Sequence, residues 1–85
     1  MVKMIMHGCN GHMGQVISDL VEKDPDIEIV AGVDPANKRT HDYPVFPSLA
    51  DCYVDADVII DFAAAVAVDA LLEYSEKNLI PVVLC

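Results

Sequence analysis

The sequence predicts an α/β protein built on a doubly wound parallel sheet, with helices on both faces. Short apolar runs alternate with amphipathic stretches along the 85 residues. The apolar runs lack polar residues at alternate positions, so each predicted strand is expected to be covered on both sides. Strands that alternate with helices in this way form βαβ units, and these units assemble into a parallel sheet.

The predicted strands are rich in valine, isoleucine and methionine and are bounded by glycine, proline or aspartate. A short run at residues 43–46 contains Pro44, which cannot donate a hydrogen bond to a neighbouring strand. Proline is therefore typical of an edge strand, and we expect this run at the edge of the sheet. Four longer strands are predicted at residues 2–7, 27–33, 57–62 and 81–85.

Two helices and one helical turn are predicted between the strands. The first helix, at residues 11–23, ends before Pro25 because the residue preceding a proline avoids the helical conformation. The second is predicted at residues 66–78, and a single turn capped by Ser48 precedes the third long strand. In the first helix, apolar residues recur at spacings of three and four positions, which predicts a buried apolar face. That face comprises Met13, Val16, Ile17, Leu20 and Val21, with Gln15, Ser18, Asp19 and Glu22 facing solvent.

Charge and composition exclude several classes of protein. The chain carries 14 acidic and 5 basic residues, a formal net charge of −9. Nucleic-acid-binding proteins and membrane-surface anchors need basic faces, so this charge argues against both. No apolar run approaches the roughly 20 residues that span a bilayer. The hydrophobic fraction of 54% argues against disorder. We therefore expect a folded, cytoplasmic protein with no membrane or nucleic-acid partner.

The cysteine and histidine residues predict neither a metal site nor a disulfide framework. The three cysteines are odd in number, widely spaced and form no Cys-x-x-Cys pair, so we expect buried thiols in a reducing compartment. Cys9 and His12 would supply only two close ligands for zinc, which takes four.

The clearest functional pattern lies between the first strand and the first helix. Residues 8–14 read Gly-Cys-Asn-Gly-His-Met-Gly, and a glycine-rich turn that opens a helix lets backbone N–H groups approach a pyrophosphate. The spacing Gly-x-x-Gly-x-x-Gly departs by one residue from the common dinucleotide fingerprint. Asp34 ends the second strand, where an acid accepts hydrogen bonds from the hydroxyls of the adenosine ribose. The same Asp-Pro pair is also typical of a plain turn.

Together with four further segments, this loop resembles the N-terminal part of bacterial dihydrodipicolinate reductases. The segments are Gly-Val-Asp at 32–34, Asp-Val-Ile-Ile-Asp-Phe at 57–62, Ala-Leu-Leu-Glu-Tyr at 70–74 and Ile-Pro-Val-Val at 80–83. The resemblance implies a reductase of lysine and diaminopimelate biosynthesis that uses NADH or NADPH. It also implies a Rossmann-like fold, incomplete in this chain, with residues 1–85 as the N-terminal part of a dinucleotide-binding domain.

The resemblance further implies a set of cofactor-binding residues. The loop would bind the pyrophosphate, Asp34 the adenosine ribose, and two residues would lie on the nicotinamide side. The set is Gly8, Cys9, Asn10, Gly11, His12, Met13 and Asp34, with Phe62 and Cys85 on the nicotinamide side. For Asp61, lining the ligand crevice and capping the following helix are equally compatible with the sequence.

Two departures from the family pattern bear on function. Ala63, Ala64 and Ala65 stand where the family usually has a serine and then a proline. The family's second domain, with its His-His pair and lysine, is absent from these 85 residues. Since a protein must position the nicotinamide against a substrate for hydride transfer, we expect no catalytic residue here and no catalysis by this chain alone.

Two other functions are compatible with the sequence. The chain could be the cofactor-binding part of another nicotinamide enzyme, such as aspartate or homoserine dehydrogenase, although Met13 and Asp61-Phe62 favour the reductase family. It could also be a shortened or engineered half-domain with a structural role. The apolar terminal strand and the helix faces predict a homodimer or larger assembly, because an unpaired apolar edge invites pairing with another chain.

Overall fold

The computed structural model of the chain describes residues 1–36, 42–52, 54–62 and 68–84. These residues form one parallel sheet and two α-helices, α1 (His12–Glu22) and α2 (Val68–Asn78), with a 3-10 turn at Leu49–Asp51. The predicted α/β fold with a parallel sheet is confirmed. The strands are β1 (Val2–His7), β2 (Ile27–Val33), β3 (Val45–Phe46), β4 (Val58–Asp61) and β5 (Val82–Leu84).

The strand order of the sheet, β3-β2-β1-β4-β5, places β1 between β2 and β4. The chain builds outward from β1 through β2 to β3, then crosses back to add β4 on the other side of β1. Such a reversal of strand order opens a crevice at the carboxyl ends of the central strands. At that edge, His7 of β1 lies opposite Asp61 of β4.

Apolar side chains cover both faces of this sheet, as the continuous apolar strands predict. Ile5 of β1 and Ile59 of β4 are fully buried in one cluster with Leu71 of α2. Successive side chains of a strand point to opposite faces, so the neighbours of Ile5 serve the other cluster. That second cluster contains Met4, Met6, Cys9 and Tyr43, with Ile17 and Val21 of α1 packed against it.

The bounds of the first two long strands agree with the sequence prediction, and the other strands are shorter. The edge strand covers only Val45–Phe46, and Pro44 contributes its carbonyl oxygen, which accepts the Gly32 N–H at 2.8 Å. The predicted strands at 57–62 and 81–85 are observed as β4 and β5. Several predicted features lie outside the described residues: the start of the second helix at 66–67, Ala63, Ala64, Ala65 and Cys85.

The predicted orientation of α1 about its axis is only partly correct. Ile17 and Val21 pack against the core as expected, but the buried face also takes in Gly14 and Ser18. Ser18 was expected to face solvent, but it is fully buried and its Oγ lies 2.9 Å from the Tyr43 hydroxyl. The cause lies at Gly14, which has no side chain and lets this face of the helix rest on the backbone of the preceding loop. Three residues expected to face the sheet are instead exposed, Met13 by 50%, Val16 by 39% and Leu20 by 60%.

The predicted cap at Ser48 is also not formed. No side-chain hydrogen bond caps the turn at Leu49–Asp51. The Ser48 hydroxyl is instead oriented toward Asp51, and its Oγ donates to Oδ2 of that carboxylate at 3.0 Å.

The end of α2 is an unusual helix terminus. The helix ends at Asn78 as predicted, and Leu79 follows in the left-handed region with φ of 55°. Its N–H donates to the Glu76 carbonyl at 3.4 Å, and the Ile80 N–H donates to the Ser75 carbonyl at 3.1 Å. These two bonds form a Schellman motif, in which the left-handed position is usually occupied by glycine.

Among the described residues, no helix is long and apolar enough to cross a bilayer.

Candidate functional site

The glycine loop leaves β1 through a turn that only glycine adopts without strain. Gly8 has φ of 88°, and its N–H donates to the Val33 carbonyl at 2.7 Å. The Cys9 N–H points to the same carbonyl at 3.4 Å. These contacts hold the start of the loop against the end of β2, so the glycine loop and the acid that follows β2 lie at one edge of the sheet.

The loop and the first turn of α1 pack backbone against backbone. A Cβ atom on Gly14 would lie 2.6 Å from the Cys9 carbonyl oxygen and 2.7 Å from that of Gly8. Gly11 is the N-cap of α1 in an extended conformation, and no side chain caps the helix. The N–H groups of its first turn therefore lack a side-chain cap, and together with the positive end of the helix dipole they favour a bound anion beside the loop.

Asp34 lies beside the loop, as the sequence predicts. Its Oδ2 accepts the Asn10 N–H at 3.1 Å, and its Oδ1 accepts the Ala36 N–H at 3.0 Å. Each carboxylate oxygen has two lone pairs, so each can accept another hydrogen bond. Asp34 is thus both the Asp-Pro turn former and a carboxylate placed next to the glycine loop. The two sequence interpretations of this residue are compatible.

The carboxamide of Asn10 stands out within the loop. Both Oδ1 and Nδ2 are shielded from solvent, and neither has a hydrogen-bond partner among the residues that the structure describes. Buried polar atoms are nearly always paired, so this group needs an explanation.

A cleft of about 440 Å³ opens beside the start of α1. Phe62, one of the two residues predicted on the nicotinamide side, lines this cleft together with residues of the loop. It is lined by Gly11, His12, Met13 and Phe62. The Phe62 N–H donates to the His7 carbonyl at 2.8 Å, which ties the segment after β4 to the end of β1. Cys85, the other residue expected on that side, lies outside the described residues.

A buried histidine–aspartate pair joins the two central strands beneath the loop. His7 Nδ1 lies 2.9 Å from Asp61 Oδ1, and both side chains are almost inaccessible to solvent. The sequence analysis weighed two roles for Asp61 and did not predict this one. The signal was present, since both residues end apolar strands, but only the strand order shows that the two strands are neighbours.

The side chain of Cys9 is buried under the loop. It packs with Gly32, where a Cβ atom would lie 2.6 Å from the Cys9 Sγ and equally close to the Tyr43 ring. Burial, and secondly the Asp34 carboxylate, raises the pKa of the Cys9 thiol to about 11, so the thiol is neutral at pH 7. Only the backbone of Cys9 is therefore placed to contact a ligand. The described part of the chain contains no group of three or more His, Cys, Asp or Glu residues able to hold a metal ion.

Sequence comparison places this chain in a known family. The family model described as "Dihydrodipicolinate reductase, N-terminus" matches residues 2–85. The 4-hydroxy-tetrahydrodipicolinate reductase of Clostridium perfringens is 49% identical over 86 residues, covering 100% of this chain and 34% of that protein. The enzyme of the same name from Caldanaerobacter subterraneus is 43% identical, covering 99% of this chain and 33% of that protein. The chain thus spans about a third of the length of the curated relatives that it matches.

Structural comparison gives the same fold. A dipicolinate-bound dihydrodipicolinate reductase from Paenisporosarcina superposes with a TM-score of 0.83 at 22% identity, covering 99% of this chain and 37% of that one. An aspartate semialdehyde dehydrogenase with NADP from Candida albicans gives a TM-score of 0.74 at 19% identity, covering 98% and 29% of the two chains. At these identities the likeness concerns the fold alone, and the sequence matches decide the family. The chain belongs to the dihydrodipicolinate reductase family and corresponds to its N-terminal part.

Proposed function

We propose that this chain binds a nicotinamide dinucleotide and forms the cofactor-binding part of a 4-hydroxy-tetrahydrodipicolinate reductase in lysine and diaminopimelate biosynthesis. The observation that carries the proposal is the 3.1 Å bond from the Asn10 N–H to Asp34 Oδ2. It brings the glycine loop and the acid after β2 into one site, as dinucleotide binding requires. The names of the relatives support the reaction class.

The residues of the site suit the parts of a dinucleotide. The loop from Gly8 to Met13 and the uncapped first turn of α1 would hold the pyrophosphate through backbone N–H groups. Asp34 would accept hydrogen bonds from the adenosine ribose, and Phe62 would lie on the nicotinamide side of the cleft. Among the described residues, a Cβ atom on Gly11 would touch only the Gly8 carbonyl oxygen, at 3.4 Å, so the bare backbone leaves space above the loop for a ligand.

The cofactor would supply the hydride, and the residues of this chain would bind and orient it. The His7–Asp61 pair would keep the loop at the end of β1 in register with the segment after β4. Phe62 and Met13 would exclude water from their side of the cleft, since both side chains are apolar. We assign no proton donor for the reaction within the described residues.

Titration of the chain with NADH, with binding measured by calorimetry, tests the proposal. Replacing Gly11 with valine should abolish binding while costing little stability, because the side chain would fill the space that the pyrophosphate enters. Ala50→Val is a matched control, because Ala50 is exposed on the 3-10 turn and is not among the described residues that line the cleft. If Gly11→Val binds NADH as tightly as the parent chain does, the loop is structural and the proposal fails. Binding of NADH in the same titration would exclude an inert half-domain.

NADH should bind at least as well as NADPH. In the proposed site, the Asp34 carboxylate would lie beside the 2′-phosphate of NADPH, and the repulsion between the two negative charges would disfavour the phosphorylated cofactor. Lys38 and Arg39, which lie outside the described residues, follow closely in the sequence and could offset part of the effect. A preference for NADPH of more than about tenfold, roughly 1.4 kcal/mol, would contradict the role given to Asp34.

A further inference from the structure

The unpaired carboxamide of Asn10 lies next to the proposed ribose site. The Asn10 backbone is fixed there, because its N–H donates to Asp34 Oδ2 at 3.1 Å. The side chain itself makes no hydrogen bond through Oδ1 or Nδ2 within the described part of the protein, although both atoms are buried. A side chain kept only for packing would be better served by an apolar group, since an unpaired buried amide is destabilising.

The chemistry of a carboxamide selects its partner. Oδ1 accepts hydrogen bonds and Nδ2 donates them, whereas the adjacent Asp34 carboxylate only accepts. A ribose hydroxyl both donates and accepts, so it can donate to Asp34 and accept from Nδ2 of Asn10 at the same time. The neighbouring hydroxyl of a ribose diol can then donate to Oδ1. A 2′-phosphate near neutral pH carries mainly acceptor oxygens, so it can accept from Nδ2 but can donate neither to Oδ1 nor to Asp34.

We propose that the Asn10 side chain binds the adenosine ribose of NADH together with Asp34, and that it is a second determinant of selectivity for a ribose without a 2′-phosphate. This inference rests on the proposed cofactor function. To contact the ribose, the carboxamide would have to rotate out of its buried position, and the rotation would break no hydrogen bond of the described residues. The structure therefore opposes the movement with packing alone.

Titration of an Asn10→Ala variant with NADH and NADPH tests the inference. We expect the affinity for NADH to fall about tenfold, as for the loss of a ligand hydrogen bond, and the affinity for NADPH to fall less than about threefold. The unfolding midpoint should stay the same or rise, because the unpaired amide is removed. Asn78→Ala is the matched control, since Asn78 is an exposed residue at the end of α2. It should change neither affinity.

A second measurement uses the parent chain and does not depend on the folding of any variant. In the parent chain, the side-chain amide signals of Asn10 in a nitrogen–proton NMR spectrum should shift on addition of NADH and shift less with NADPH. The signals of Asn78 should not move with either cofactor.

The outcomes separate this inference from the proposal on which it rests. If the parent chain binds neither cofactor, the proposed function itself is wrong. If the parent chain binds NADH but Asn10→Ala lowers both affinities equally, or lowers neither, the cofactor function stands and the role of Asn10 is refuted. Unmoved Asn10 amide signals at saturating NADH would refute it as well.

Discussion

Replacing Gly14 with alanine should destabilise this protein, although alanine is the better helix former. Alanine gains about 1 kcal/mol over glycine inside a helix. Against this, the new Cβ atom would lie 2.6–2.8 Å from three backbone atoms of Gly8 and Cys9, and ordinary contact begins only at 3.4 Å. The loop would have to shift by about 0.8 Å at the closest atom. Backbone gives way less readily than a side chain, so the upper part of the usual 1–3 kcal/mol cost of overpacking applies.

The net effect should be a loss of about 1–2 kcal/mol from the free energy of unfolding. For a domain of this size, such a loss lowers the unfolding midpoint by roughly 5–15 °C. Thermal and urea unfolding followed by far-ultraviolet circular dichroism would measure it. The urea dependence should keep its slope, because the surface exposed on unfolding does not change. The displaced loop should also bind NADH more weakly.

Gly11→Ala is the matched control, in the same loop and with the same added methyl group. Within the described parts of the chain, its Cβ atom would meet only the Gly8 carbonyl oxygen, at 3.4 Å. The loss of glycine at the N-cap costs about 0.5–1 kcal/mol, and the stiffer unfolded chain offsets most of it. We therefore expect a change within about 0.5 kcal/mol. If Gly14→Ala proves as stable as Gly11→Ala, the loop and α1 are not packed as the structure shows, and the reasoning is refuted.

Three further outcomes follow from single features of the structure. Leu79→Gly should raise the free energy of unfolding by about 0.5–1 kcal/mol, because a left-handed conformation strains leucine and this side chain is 89% exposed. Leu79→Ala keeps the strain, so equal urea midpoints for the two variants would contradict that cause. The Cys9 thiol, whose pKa is raised from 9.0 to about 11, should react with a thiol reagent at pH 8 only in denaturant. Rapid labelling of Cys9 in the native protein, found by peptide mapping, would contradict its burial. Since the unfolded chain releases the thiol proton at a lower pH than the folded chain, the free energy of unfolding should fall as the pH rises from 9 to 11. Light scattering should find assemblies larger than the 9.2 kDa monomer. Leu20→Lys should weaken them, because Leu20 is an apolar side chain that is 60% exposed. A monomeric parent chain would disprove self-association.

Much of the fold and part of the site could be predicted from the sequence, because they depend on local properties of the chain. Continuous apolar runs separated by turn residues predict buried parallel strands, and the bounds of β1 and β2 follow from them. The glycine spacing before α1 and the acid after β2 likewise predict a ligand loop and its partner. The bond between Asn10 and Asp34 confirms that the two lie together.

The tertiary structure decided which side of α1 is buried and which polar groups meet. The apolar residues of that helix share one side, but the face that packs is displaced from that side toward Gly14 and Ser18, which spacing alone does not predict. The contact of Gly14 with the loop backbone sets the rotation of the helix. The His7–Asp61 pair depends in the same way on the order of strands in the sheet, since its residues are 54 positions apart. Contacts between distant segments are selected by the packing of the whole chain, and no local pattern encodes them.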